Sequence, residues 1–80
     1  MAFIRTQGDK RLINLSDIKR VYWNNFVAKA ELFNGEIVIL GEYESADEVQ
    51  HVIGDCQFLL KFIRRFNFPQ YGYYREFYQE

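Results

Sequence analysis

Asn34-Gly35 stands between two runs in which apolar residues recur at alternate positions, residues 26–33 and 36–40. Asn-Gly supplies the positive φ that a tight reversal needs, so the pair marks a β-hairpin. Asn24-Asn25 does the same between residues 18–23 and residues 26–33. Two reversals this close together force three consecutive strands into an antiparallel meander. If both loops hold two residues, Trp23 faces Phe26, Val21 faces Ala28, Leu32 faces Ile37 and Ala30 faces Ile39. Side chains alternate with period two. The register then predicts a core face of Val21, Trp23, Phe26, Ala28, Ala30, Leu32, Ile37 and Ile39. The opposite face carries Tyr22, Val27, Phe33, Val38 and Leu40 among Arg20, Lys29, Glu31 and Glu36. That second face is half apolar, and it needs a cover.

Two shorter strands precede the meander, residues 3–6 and 11–15, joined by the Gln7-Gly8-Asp9-Lys10 turn. Ser16-Asp17 punctuates the passage into the third strand. After Gly41 the period changes. Ser45 is an N-cap, and Glu48 three positions later completes a capping box. Val49, Val52, Ile53, Cys56, Leu59, Leu60, Ile63 and Phe66 then recur on one helical stripe. One helix over residues 46–66 is the simplest reading; a bend at Gly54 with Asp55 capping a second helix is the alternative. Asp47 and Glu48 suit the positive end of the helix dipole, and Arg64 and Arg65 the negative end. Phe58 and Phe62 lie off the stripe, four apart, so they meet on the far side behind the notch at Gly54.

Residues 67–80 read as an aromatic tail on a single α+β domain of residues 1–66. Pro69 ends the helix pattern and extends Phe68. Residues 66–80 hold seven rings: Phe66, Phe68, Tyr71, Tyr73, Tyr74, Phe77 and Tyr78. Disordered tails are poor in aromatics, so the expectation is docking, on this chain or on a neighbour, with the Gly54, Phe58 and Phe62 notch as the groove.

The fold class expected is therefore α+β: a meander of about five strands with one long C-terminal helix on one face. Eighty residues make one domain. A domain of this size buries only about 60% of the surface of its unfolded chain. Disulfides, metals or oligomerisation are the usual supplements. Cys56 is the lone cysteine and His51 the lone histidine. One of each makes neither a disulfide nor a metal site, so no cofactor is expected and homo-oligomerisation remains. The net charge of −1 sets up no field for DNA or anionic membranes. No apolar run approaches the roughly 20 residues of a membrane span, and residues 1–5 carry no signal sequence. A cytoplasmic, intracellular protein is the expectation.

From Phe3 to about Ile53 the chain resembles a loose group of small bacterial and phage proteins. The shared features are the opening strand with its Gly turn, the Ile13-Asn14-Leu15 run followed by Ile18, and Leu40-Gly41-Glu42-Tyr43-Glu44-Ser45 before the helix. The group is functionally uncharacterised, so the resemblance assigns no active residue. It implies a phage or mobile-element accessory protein that binds a host factor. From Arg64 onward the chain departs from the short C-terminal helix of that group.

Catalytic chemistry finds no constellation. His51 sits on the exposed side of the helix and Cys56 on the buried stripe, out of the hydrogen-bond reach a nucleophilic pair needs. Asp47, Glu48 and Asp55, with Glu42 and Glu44, read as caps and surface charge. The expected function is a non-enzymatic protein–protein interaction module. Its contact residues are Phe58, Phe62, Tyr71, Tyr73, Tyr74, Phe77, Tyr78, Tyr22 and Val38. The alternative is a single-stranded nucleic-acid binder that uses Lys61, Arg64 and Arg65 beside the tail aromatics.

Overall fold

The computed structural model describes residues 1–70. Those residues form an α+β fold of two small sheets and one helix. Strands β1 (Phe3–Arg5), β2 (Leu12–Asn14), β3 (Ile18–Asn24), β4 (Val27–Leu32) and β5 (Ile37–Glu42) appear where the alternation and turns placed them. They do not form one meander. β3, β4 and β5 make an antiparallel sheet, in that order. β1 pairs with β2 in a second sheet, whose other edge is a sixth strand, β6 (Arg65–Asn67), running parallel to β1. A single 3₁₀ turn at Leu15–Asp17 carries the chain between the sheets, with Asn14 Oδ1 accepting from Ser16 N–H at 3.0 Å.

The helix α1 spans Ala46–Leu59, not residues 46–66. It opens as expected, with Ser45 Oγ accepting from Glu48 N–H at 3.1 Å. The Glu48 carboxylate reaches back to the N–H of Glu44 at 2.9 Å, one residue beyond the usual capping box. The helix continues through Gly54 without a second cap. It stops at Leu59 with Leu60 as its C-cap, and the turn that follows is closed by Lys61 and Phe62 N–H donating to the carbonyls of Phe58 and Leu59. The reason lies in residues 65–68. Arg65, Phe66, Asn67 and Phe68 alternate exposed and buried, a period of two. As a strand beside β1 they bury both Phe66 and Phe68, whose rings meet edge to face at 5.3 Å. A continued helix would have buried only one of the two. Leu59 and Ile63, expected on the buried stripe, are exposed as a result, while Leu60 packs on the core margin.

Both hairpins have a different register from the two-residue readings. The first closes on Asn24 opposite Val27, with Asn25 at φ 56° and Phe26 in the loop. Trp23 therefore faces Ala28 and Val21 faces Ala30, a shift of two that leaves the faces unchanged. The second loop holds three residues. Leu32 N–H donates to the Glu36 carbonyl at 2.9 Å, Gly35 N–H donates to the Leu32 carbonyl at 3.0 Å, and Gly35 sits at φ 94°. This is a turn closed by a glycine bulge. One extra residue slips the register by one, and a slip of one turns every side chain of β5 over. Val38 and Leu40 enter the core, and Ile37 and Ile39 point outward opposite Glu31 and Lys29. A second irregularity near Ala28 lets Gly41 face inward as well.

One core joins the two sheets and the helix. Ile4, Ile13 and Phe66 come from the first sheet, Ala28, Ala30, Leu32, Val38 and Leu40 from the second, and Val49, Val52, Ile53 and Cys56 from α1. Ala28 and Ala30 leave the space into which the helix settles, over β3 and β4. Trp23 belongs to this helix-side face, but at its margin, and is 44% exposed.

The inverted β5 makes a quantitative prediction. Leu40 is 0% exposed and Ile39 52%. Leu40→Ala should cost about 2–5 kcal/mol, the range for buried leucines. Ile39→Ala should cost less than about 1 kcal/mol. Urea unfolding of the two variants measures both; equal costs would put the wrong residues inside.

Candidate interaction surface

The outer face of the β3–β5 sheet carries Arg20 and Tyr22 from β3, Val27, Lys29 and Glu31 from β4, and Ile37 and Ile39 from β5. Arg20 Nε donates to Glu31 Oε1 at 2.7 Å, and its guanidinium lies 4.5 Å from the centre of the Tyr22 ring. The cation–π contact holds Arg20 flat over the sheet. Tyr22 is thus on the expected outer face. Val38 is not: it is buried, because β5 is turned over. Its place is taken by Ile37 and Ile39, which the two-residue loop had put inside. The signal that could have found them is the glycine after Asn34, which suits a three-residue loop with a glycine bulge as well as a two-residue one.

Phe58 and Phe62 do meet, with ring centres 5.4 Å apart and planes tilted by 59°. Phe58 is in the last turn of α1, Phe62 in the turn beyond it, and they are 59% and 73% exposed. Lys61, Arg64 and Arg65 are exposed around the same turn. They do not cap a helix dipole, since α1 ends at Leu59 and its last turn holds no base. Arg65 is in β6, and the Arg64 carbonyl accepts from Phe3 N–H at 2.8 Å. Tyr71, Tyr73, Tyr74, Phe77 and Tyr78 lie outside the described residues. Residues 67–70, read as the start of the tail, pack on the body: Phe68 is buried, and Tyr43 Oη donates to the Pro69 carbonyl at 2.8 Å.

Gln7 is the residue that sequence reasoning passed over. Its backbone N–H donates to the Leu40 carbonyl at 2.8 Å. Its side-chain Oε1 accepts from Glu42 N–H at 2.9 Å, and Nε2 donates to the carbonyls of Glu42 and Pro69 at 3.1 and 2.8 Å. One side chain thus ties β1, the edge of β5 and the segment after β6. A glutamine before a Gly turn gives no sequence signal of this. From Gln7 the β1–β2 hairpin runs along β5 to Arg11, which forms a two-pronged ion pair with Glu36 at 2.7 and 3.1 Å. Between those two ties lies an open cleft of about 380 Å³, walled by Gly8 and Asp9 on one side and by Ile37 and Ile39 on the other.

Cys56 is buried, and burial pushes its thiol up to about 12. It is a small residue of the core, where burial favours the neutral thiol. His51 is exposed on α1, one helical face away from it. Among the described residues no three His, Cys, Asp or Glu side chains gather as metal ligands. No described helix is long and apolar enough to cross a membrane. No protein-family model, curated protein or solved structure matches the chain.

Two predictions test this geometry. A Cβ on Gly41 would lie 2.6 Å from Tyr43 Oη and 2.8 Å from the ring. The ring is buried and its hydroxyl is bonded to Pro69, so it has little room to yield. Gly41→Ala should cost about 1–3 kcal/mol by overpacking, and should loosen the Tyr43–Pro69 bond, read from the Tyr43 ring signals by NMR.

The second concerns acid. The Thr6 hydroxyl, and then the Arg11 backbone N–H, hold the Asp9 carboxyl below its ordinary range. Arg11 does the same for Glu36, and Arg20 for Glu31, each chiefly by its side-chain hydrogen bond. A carboxyl depressed in the folded state stabilises the fold above its unfolded pKa, and that contribution disappears as pH falls through the folded value. The melting temperature should therefore fall below about pH 4.5. The decline should be shallow, since exposed pairs contribute little. NMR titration should find all three carboxyls protonating below the ordinary carboxyl range; ordinary midpoints at Glu36 and Glu31 would show that the ion pairs do not persist in solution.

Proposed function

We propose that this chain is a non-enzymatic protein–protein interaction module that works as a homo-oligomer. The observation that carries the reading is the apolar surface on its ordered elements. Eleven large apolar side chains are exposed among the described residues, including Trp23, Ile37, Ile39, Phe58 and Phe62. Single exposed apolar residues are ordinary. Here two isoleucines stand together on a sheet face, and two phenylalanines at the end of the helix and in the turn beyond it, each rimmed by charge, as at contact sites. The buried thiol of Cys56 supports a structural rather than a chemical role. A phage or mobile-element accessory protein that binds and blocks a host factor is the concrete form, resting on the resemblance of the Leu40–Ser45 run and its neighbours. The reading places the chain in the cytoplasm.

A second reading is a single-stranded nucleic-acid binder. Its specific support is that Lys61, Arg64 and Arg65 are all exposed around the turn that holds Phe62. Cations beside rings track a strand by charge and stacking. The net charge of −1 weighs against it.

Light scattering over a hundredfold dilution separates the two. The module reading expects a mass of at least twice 9.7 kDa at high micromolar concentration, little changed by salt. The nucleic-acid reading expects a monomer that binds a labelled oligonucleotide and loses affinity steeply with salt. A monomer that binds no oligonucleotide would overturn both.

A further inference from the structure

We propose that β3 pairs edge to edge with β3 of a second copy of this chain, antiparallel about a two-fold axis at Tyr22. The inference rests on the interaction-module reading and gives it a site.

The two sheets have four edges, and three are closed or short. β2 and β6 are three residues each. β5 has its Leu40 and Glu42 groups taken by Gln7, and the β1–β2 hairpin, tied again at Arg11 and Glu36, stands across a cleft from the rest of it. β3 is seven residues long, and no described strand pairs with its outer side. Long open edges pair with other chains unless something blocks them.

The hydrogen-bond alternation shows which groups are on offer. Leu32 N–H bonds toward β5, to Glu36. Alternation along β4 then turns Leu32 and Ala30 toward β5, and Glu31, Lys29 and Val27 toward β3. Their partners on β3 are Arg20, Tyr22 and Asn24. The two residues between, Val21 and Trp23, therefore present their N–H and C=O groups outward.

An axis at any residue of β3 matches outward residues with outward residues, but only the one at Tyr22 keeps both outward pairs within the regular part of the strand and away from like charges. An axis at Tyr22 sets Val21 opposite Trp23 of the second copy, and Trp23 opposite its Val21. An axis at Val21 would set Trp23 opposite Lys19, where the strand is irregular. An axis at Trp23 would set Val21 opposite Asn25, in the loop. An axis at Arg20 would oppose two guanidinium groups. The Tyr22 register instead sets Arg20 opposite Asn24, so no like charges face each other, and Arg20 keeps its 2.7 Å bond to Glu31. The exposed part of the Trp23 ring comes to lie beside Val21 of the second copy, on the helix side of a sheet now six strands wide. Such aromatic and β-branched cross-strand pairs stabilise sheets. A two-fold contact also closes, giving a dimer rather than a fibre.

Cross-linking tests the register. In this geometry the two Tyr22 residues form a non-hydrogen-bonded pair with Cα atoms about 4.5 Å apart, within the roughly 4.4–6.8 Å that a disulfide spans. Tyr22→Cys should give a disulfide-linked dimer under mild oxidant. Cys56 can stay, since it is buried and its thiol is pushed up to about 12. Ile39→Cys, on the other edge strand, should stay mostly uncross-linked. A dimer by light scattering that does not cross-link at position 22 would overturn the β3 register and leave the module reading standing. A chain monomeric at every concentration would overturn both. Should Tyr22→Cys fail to fold, amide exchange of the unaltered chain decides: Val21 and Trp23 amides should exchange at least tenfold more slowly in concentrated than in dilute samples. Exchange independent of concentration in a chain that dimerises would overturn the pairing.

Discussion

The hydrogen bond from Leu32 N–H to the Glu36 carbonyl, 2.9 Å long, closes a loop of three residues. An even loop would have put Ile37 and Ile39 under the helix and Val38 and Leu40 outside. An odd one does the reverse, because side chains alternate with period two. The core then gains Leu40 and Val38 beside Ala28 and Ala30, and Gly41 faces inward close enough for the Tyr43 ring to lie against it. From Tyr43 the chain reaches Ser45 and the helix, while its hydroxyl holds Pro69. The placement of the helix, the position of the last described segment and the apolar outer face all follow from the parity of one loop.

Gln7 supplies the second constraint. Strands as short as β1 and β2 are weak alone, since a two-stranded hairpin is marginal in water. β6 adds a third strand, and Gln7 bonds the end of β1 to the edge of β5 and to Pro69. The two sheets are thereby one body around one core. The same bonds have a consequence for assembly: with Leu40 and Glu42 of β5 occupied by Gln7, β3 is the longest edge of the larger sheet that no described strand pairs with.

Much of this was legible in the sequence. Five strands, the Ser45 cap, the buried Val49, Val52, Ile53 and Cys56 stripe and the Phe58–Phe62 pair could be read from local pattern alone. Three features could not. Asn34-Gly35 announces a reversal but fits loops of either parity, and only the packing of Leu40 chooses between them. Residues 60–66 carry apolar spacing that suits a helix as well as it suits a turn and a strand, and the free edge of β1, a partner sixty residues away in sequence, decides for the strand. Gln7 acts through backbone groups of β5 that no residue pattern reveals. Each failure has one cause: tertiary partners choose between local conformations of similar energy.

A chain of this size has few ways to gain stability. Its one thiol is in the core, and its ion pairs are on the surface, where water and salt weaken them. Apolar contact is what is left, and the fold has used its helix-side face except at the Trp23 margin. Ile37, Ile39, Trp23 and the Phe58–Phe62 pair remain outside. All but Phe62 stand on regular elements, so little further chain ordering is required to bury them, and ordering is the main cost of making a new contact. A surface that is apolar, carried largely on regular elements and edged by a strand with no described partner is favourable to bury against a similar surface. The lowest barrier to such complementarity is a second copy of the same strand, because a two-fold axis matches donors with acceptors wherever the register pairs outward residues.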